Sequence, residues 1–437
     1  MAAAEDGGGG SRLREVGRAL RHQNFRIYFF SMLVSFTGTW MQNVAQSWLV
    51  YRLTGSAWWL GMIGFAGQIP VFLLALVGGV LADRYHRYRL ILLTQTLAMI
   101  QALLLAVLTL SGHVTVGAIF ALALFLGFIN AIDMPTRQSF VVELVGKEDL
   151  MNAIALNSSV VNGARIVGPA LAGVLVAWLG EGLCFLLNGV SYIAVIVGLL
   201  WMQLSADRVE RPTGSALSHL QEGFEYVRAH QPIRAILLLL AFVSLCGLPY
   251  MVLMPIFADR ILGGGPHTLG LLMGAAGVGA LGGALTLAVR RQVEGLGRIV
   301  ALSVGTMGVM LLLFSFSRSL LLSTVFVAGI GYVMMLQMAA SNTLLQTMVV
   351  DRLRGRVMSF YSLSLLGMAP FGSLMAGIVA TRIGAPDTVA VSGALCLLGG
   401  VLFGTRLPGL GKEAAPLSLA PEVKVSEPAE SAATEDS

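Results

Sequence analysis

Gly79-Val80-Leu81-Ala82-Asp83-Arg84-Tyr85-His86-Arg87-Tyr88-Arg89 is the stretch on which the reading of this chain turns. A long apolar run ends at a glycine of the kind that lets helices pack closely. An acid follows, then three arginines. Charged side chains are costly inside hydrocarbon and gather where a helix leaves it. The stretch therefore reads as an abrupt exit from a membrane onto a basic aqueous face.

The rest of the chain agrees. Its 437 residues are 56% hydrophobic and 12% charged, with a mean hydropathy of +0.80. That excludes an ordinary soluble domain, because apolar runs of this length are membrane spans. Length and hydropathy leave room for about 12 helices of roughly 20 residues. Each must be a helix, since lipid offers the backbone no hydrogen bonds. The predicted spans are 25–51, 58–82, 90–110, 116–134, 151–179, 183–204, 233–257, 268–289, 299–317, 320–347, 357–381 and 388–406.

Residues 1–24 form a basic N-terminal segment and 25–204 a first six-helix bundle. Residues 205–232 form a polar middle loop, in which Leu217, Leu220, Phe224 and Val227 recur at helical spacing. That pattern predicts a short amphipathic helix on the membrane surface. A second bundle covers 233–407, and 408–437, rich in Ala, Glu, Ser and Pro, is expected to be a disordered tail.

Lys and Arg test this layout. With both termini cytoplasmic, 23 of the 28 fall on the cytoplasmic side. Arg52, Arg260, Arg318 and Arg382 fall on the other, and Arg165 lies within a span. One lost span would reverse every later loop, so the bias supports an even number of crossings. The net charge of +5 reflects this topology and not a nucleic-acid surface. Cys184, Cys246 and Cys396 each lie in an apolar run, without metal or disulfide spacing, and read as packing residues.

The opening stretch resembles the loop between the second and third helices of the major facilitator superfamily, Gly-x-x-x-Asp-Arg-x-Gly-Arg-Arg/Lys. Gly79, Asp83, Arg84 and Arg87 match; His86 and Tyr88 depart. More narrowly the chain resembles the enterobactin-exporter and macrolide-efflux branch. The carrying residues include Trp40-Met-Gln42 to Gln46-Ser-Trp48, Pro135-Thr-Arg137-Gln, Asn152-Ala-Ile-Ala-Leu-Asn157, Arg165-x-x-Gly168-Pro169 and Asp351-x-x-Arg354-Gly-Arg356. The resemblance implies an all-α integral membrane fold of 12 transmembrane helices in two pseudo-symmetric six-helix bundles. It implies secondary transport by alternating access, most simply proton-coupled export of amphipathic or lipophilic drug- or siderophore-like molecules. An importer or uniporter of the same fold is the alternative, and a non-transporting membrane scaffold the alternative of another class.

Candidate sites follow. A conformational gate on the basic face is expected from Gly79, Asp83, Arg84, Arg87, Asp133, Arg137, Glu143, Asp351 and Arg356. In the resembled family the acid at position 83 contacts the eleventh helix, which Arg356 begins. Asp133 and Arg137, four apart, can pair on one helix face. Polar residues within spans, Gln42, Gln46, Asn157, Asn162, Gln337 and Asn342, either line a substrate cavity or tie helices together. Asn188 reads as such a tie. Arg165 either lines the cavity, pairs with Asp133, or reaches the cytoplasmic surface. Gly168-Pro169 permits a bend in the fifth span.

No phosphate-binding loop and no nucleophile–base constellation occurs in the spans, so no enzyme, cofactor or metal site is expected. The expected partners are a small-molecule substrate, protons on the strength of the resemblance alone, and the lipid bilayer. The protein is expected as a monomer in the cell membrane.

Overall fold

The computed structural model describes residues 18–146, 148–202, 216–290 and 295–419. A short 3-10 turn, Arg18–Arg21, leads into fifteen helices among these residues. The first six are α1 Gln23–Thr54, α2 Ala57–Arg84, α3 Arg87–Leu110, α4 Val116–Val145, α5 Leu150–Leu179 and α6 Glu181–Trp201. Then come α7 Ala216–Ala229, α8 Gln231–Cys246, α9 Tyr250–Ile256 and a π-helical turn, Phe257–Ile261. The chain continues with α10 Gly265–Val289, α11 Leu296–Phe316, α12 Leu320–Met348, α13 Asp351–Leu366, α14 Ala369–Ile383 and α15 Ala385–Leu419.

Among the described residues, 11 segments are long and apolar enough to cross a membrane. The 32-residue α1 is not one of them. Arg26, Gln42, Asn43, Gln46 and Arg52 dilute its apolar character. The predicted seventh and eleventh spans are each broken into two helices. One break follows Cys246, at Gly247-Leu248-Pro249, and the other follows Leu366, at Gly367-Met368. Proline at 249 and at 370 supplies no backbone N–H to carry a helix through. The breaks support each other: the Ser244 hydroxyl donates to the Leu365 carbonyl at 2.5 Å.

The amphipathic helix of the middle loop is α7; residues 203–215 lie outside the described residues. Where a disordered tail is expected from 408, α15 runs on to Leu419, and 420–437 lie outside the described residues.

Two bundles share one internal arrangement. In the first, α2 packs on α4, α3 on α6, and α1 on α5 and α6. In the second, α10 packs on α12, α11 on α15, and the broken spans take the place of α1 and α5. Glycine makes the equivalent contacts in both. A Cβ on Gly78 would sit 1.9 Å from the Ala131 carbonyl oxygen, joining α2 to α4. A Cβ on Gly279 would sit 1.8 Å from that of Ala328, joining α10 to α12. Helices in lipid gain from such close backbone approach, because no hydrophobic force drives them together. The packing glycine of the opening stretch is therefore Gly78. Gly79, expected in that role, has nothing within 4 Å of its Cβ position, being turned about 100° away on the helix.

Candidate functional site

The bundle has a basic end, carrying Arg84 to Arg89, and a far end, where α1 turns into α2. Gly55 makes that turn with a left-handed φ of 58°, its N–H closing on the Tyr51 carbonyl.

The halves meet at the far end along two seams, α5 with α10 and α2 with α14. Each seam is a glycine pair. A Cβ on Gly173 would lie 3.0 Å from the Gly270 Cα. A Cβ on Gly377 would lie 2.9 Å from the Gly61 Cα. The internal repeat exchanges one seam for the other, so one contact is used twice. Polar bonds reinforce them. The Tyr51 hydroxyl donates to Asp259 Oδ2 at 2.8 Å, and Arg260 Nη2 donates to the Gly55 carbonyl at 3.1 Å. Asp259 and Arg260 lie in the π-helical turn after α9; single π turns often mark functional sites. None of Tyr51, Asp259, Gly61, Gly173, Gly270 and Gly377 was expected as a gate residue. The available signal was Asp259-Arg260, an adjacent charge pair on the face with few charges.

At the basic end the ion pairs lie within one bundle or tie a flanking segment to it. Arg87 pairs with Glu143, from the start of α3 to the last turn of α4. Asp149 clamps the chain before α1: Arg18 at 2.5 Å and His22 at 2.8 Å both reach it. The His22 hydrogen bond, with the Arg18 charge, holds the Asp149 carboxyl below its ordinary pKa. Asp351 pairs with Arg354 at 2.5 Å in its own first turn and joins nothing to the other half. Arg84 is exposed.

The expected contact of Asp83 with the start of the eleventh span is not formed. Asp83 makes no hydrogen bond or ion pair among the described residues. Arg356 pairs instead with Glu222 of α7, which also takes Arg352 at 2.7 Å. Phe224 and Phe360 add an aromatic contact with centroids 6.4 Å apart. Burial pushes the Glu222 carboxyl up, but pairing with Arg356 and the charge of Arg352 outweigh it and hold the pKa below the ordinary Glu value. A lowered folded pKa means the clamp is fully present above the ordinary value and is lost as pH falls through the lowered one. Glu222→Gln should free α7 at neutral pH. Backbone hydrogen exchange over Ala216–Ala229 should become several-fold faster; an unchanged rate would contradict the clamp.

Asp133 is 2% exposed. Its Oδ2 pairs with Arg137 Nε at 2.7 Å, and its Oδ1 accepts from Thr94 Oγ1 at 2.7 Å and Gln95 Nε2 at 3.0 Å. Arg137 lies over the Phe36 ring, 4.8 Å from its centroid. This network borders a cavity of about 40 Å³ within the first half. Pairing of Arg165 with Asp133, one of the expected options, is therefore ruled out. Arg165 lies over the Trp40 ring at 5.6 Å, its Nε buried and without a partner.

The cavity candidates divide. Gln42 does not line a cavity; it is 2% exposed and ties helices. Its amide donates to Gln101 at 3.1 Å and accepts from Asn188 at 2.8 Å, joining α1, α3 and α6. Asn162 bonds back to Ser158 in its own helix, and Asn342 accepts from Gln346 one turn on. Gln46 and Asn157 are partly exposed. Gln337 is 1% exposed, with its Nε2 unpartnered. Gly168 packs on α1, its Cβ position 2.5 Å from that of Trp40; Pro169 lies inside an unbroken α5. No group of three metal-ligating side chains occurs among the described residues.

Two like-built helical bundles joined by two repeat-related seams define a multi-pass membrane transporter of the major facilitator type. Residues 18–433 match the transmembrane secretion effector family, and the chain belongs to it. It is 25% identical to the staphyloferrin A transporter of Staphylococcus aureus (strain NCTC 8325 / PS 47), over 84% of this chain and 92% of that protein. It is 28% identical to the multidrug efflux pump Tap of Mycolicibacterium fortuitum, over 85% and 93%. It is 26% identical to the enterobactin exporter EntS of Escherichia coli O1:K1 / APEC, over 87% and 91%. Among solved structures, an inward-facing, unoccupied bacterial homolog of the human lysosomal transporter Spinster aligns with a TM-score of 0.71. That pair shares 13% identity, over 90% of this chain and 98% of that one, which shows the fold. These relatives are transporters, not enzymes.

Proposed function

We propose that the chain exports amphipathic small molecules, siderophore-like or drug-like, across the inner membrane by alternating access. The basic end lies in the cytoplasm, α1 is the twelfth span, held between α5 and α6, and protons drive the cycle. The observation that carries the reading is the asymmetry between ends. Both seams are closed by glycine pairs at the far end, whereas at the basic end Arg356 of the second bundle is held by Glu222 of the middle-loop helix α7. With the basic end cytoplasmic, this is the state that loads cargo from inside. Two repeats meeting in equivalent seams are the arrangement that rocking about a central site requires. The family and its siderophore- and drug-exporting relatives support the cargo class. The resemblance supports protons as the coupling ion, and one chain supplies both halves of the cleft.

Everted vesicles carrying the protein test this with ethidium and iron-free enterobactin as probes. Accumulation of either probe should require an acid interior and collapse when the gradient is dissipated. Flux that ignores the gradient would remove proton coupling, and uptake of the probes by intact cells would reverse the direction.

A further inference from the structure

The unpaired arginine of α5 has its place explained by nothing above. Arg165 lies about 22 Å along α5 from its start, at 1.5 Å per residue. Its backbone touches α10, where a Cβ on Gly277 would sit 2.9 Å from the Arg165 carbonyl oxygen. It is therefore at the junction of the halves, about two turns inside the Gly173–Gly270 seam.

The guanidinium lies over Trp40 of α1. Its Nε is buried without a hydrogen bond, and it forms no ion pair among the described residues. Across the junction, Tyr250 opens α9, which packs on α1 and α10, the two helices that Arg165 touches. Tyr250 is 2% exposed and its hydroxyl also lacks a partner. Two buried acids of the first half are committed elsewhere, Asp133 to Arg137, Thr94 and Gln95, and Glu181 to Arg52.

A guanidinium in low dielectric without a counter-charge is costly, and intramembrane charges of this kind mark substrate pathways. Trp40 covers one face of the cation and leaves its edge N–H groups free. A planar guanidinium edge fits the two oxygens of a carboxylate. An adjacent phenol adds a further donor.

We propose that Arg165 and Tyr250 form an anion subsite, and that the cargo carries a carboxylate on an apolar or aromatic body lying against Trp40. The proposal rests on the transporter reading and narrows its cargo. One donor comes from each half, so a bound carboxylate bridges the two bundles just inside the far-end seams.

Equilibrium dialysis of the purified protein with naphthoate and with naphthamide tests it, since the two share a ring system and differ in charge. The wild type should hold naphthoate about 10- to 100-fold more tightly, the range for a charge-assisted hydrogen bond. Arg165→Gln should bring naphthoate down to the naphthamide level, Arg165→Lys should keep part of the preference, and Tyr250→Phe should narrow it. A wild type without the preference, or a preference that survives in folded Arg165→Gln, overturns the subsite. If Arg165→Gln does not fold, an unaltered preference in both Arg165→Lys and Tyr250→Phe overturns it equally. Naphthoate flux in vesicles reads export separately: its absence beside an intact, Arg165-dependent preference sinks the exporter reading and supports the subsite.

Discussion

Gly377→Val is expected to leave a folded protein that transports far more slowly. The Cβ position of Gly377 lies 2.9 Å from the Ala57 carbonyl oxygen and 2.9 Å from the Gly61 Cα. These are backbone atoms at the start of α2, with no side chain that can turn aside. The clash exists only while the far end is closed, so the substitution penalises one state and spares the other. Forcing methyl groups into a tight contact costs about 1–3 kcal/mol. In a two-state equilibrium that is a shift of roughly 5- to 150-fold toward the state open at the far end. Probe flux in vesicles should fall by a comparable factor. Gly117→Val is the control, because nothing lies within 4 Å of its Cβ position. Loss of flux in both variants would mean that bulk, not the seam, is responsible.

Asp133→Ala should bring the largest loss of stability. It removes the acceptor of three donors and leaves Arg137 charged and largely buried between α1 and α4. Breaking one side of a buried ion pair costs about 3–5 kcal/mol, whereas replacing both partners by apolar residues is often close to neutral. Unfolding of purified protein should show a large drop for Asp133→Ala. Most of that drop should be recovered in Asp133→Leu with Arg137→Leu. Equal losses in the single and double variants would show that the pair is not what holds this region.

Most of the spans and the family were legible in the sequence because each is written locally. Apolar runs of membrane length, a charge bias across short loops and the Asp83-Arg84 exit need no tertiary information. Contacts between distant residues were not legible. Gly78 and Gly79 are adjacent and chemically identical; only the rotation of α2 against α4 decides which one packs. Gln42 and Gln46 share a helix face by spacing, yet Gln42 is captured by Gln101 and Asn188. The breaks at Gly247 and Gly367 were hidden because each lies inside a segment that is still long and apolar enough to read as one span. The partner of Arg356 escaped notice because Glu222 is distant in sequence and no local pattern ties the two. The family resemblance implies Asp83 at the start of the eleventh span, whereas here Arg356 at that place pairs with Glu222 of α7.

The rocking of two halves about the central junction is tested most directly by spin-label distances measured at both ends in lipid. One pair of labels goes at Arg84 and Arg354 on the basic end, the other at Leu53 and Ile383 on the far end. The account predicts two populations in opposition: wherever the far-end distance lengthens, the basic-end distance shortens, and Gly377→Val enriches that population. A basic-end distance that stays fixed while the far end opens would contradict it.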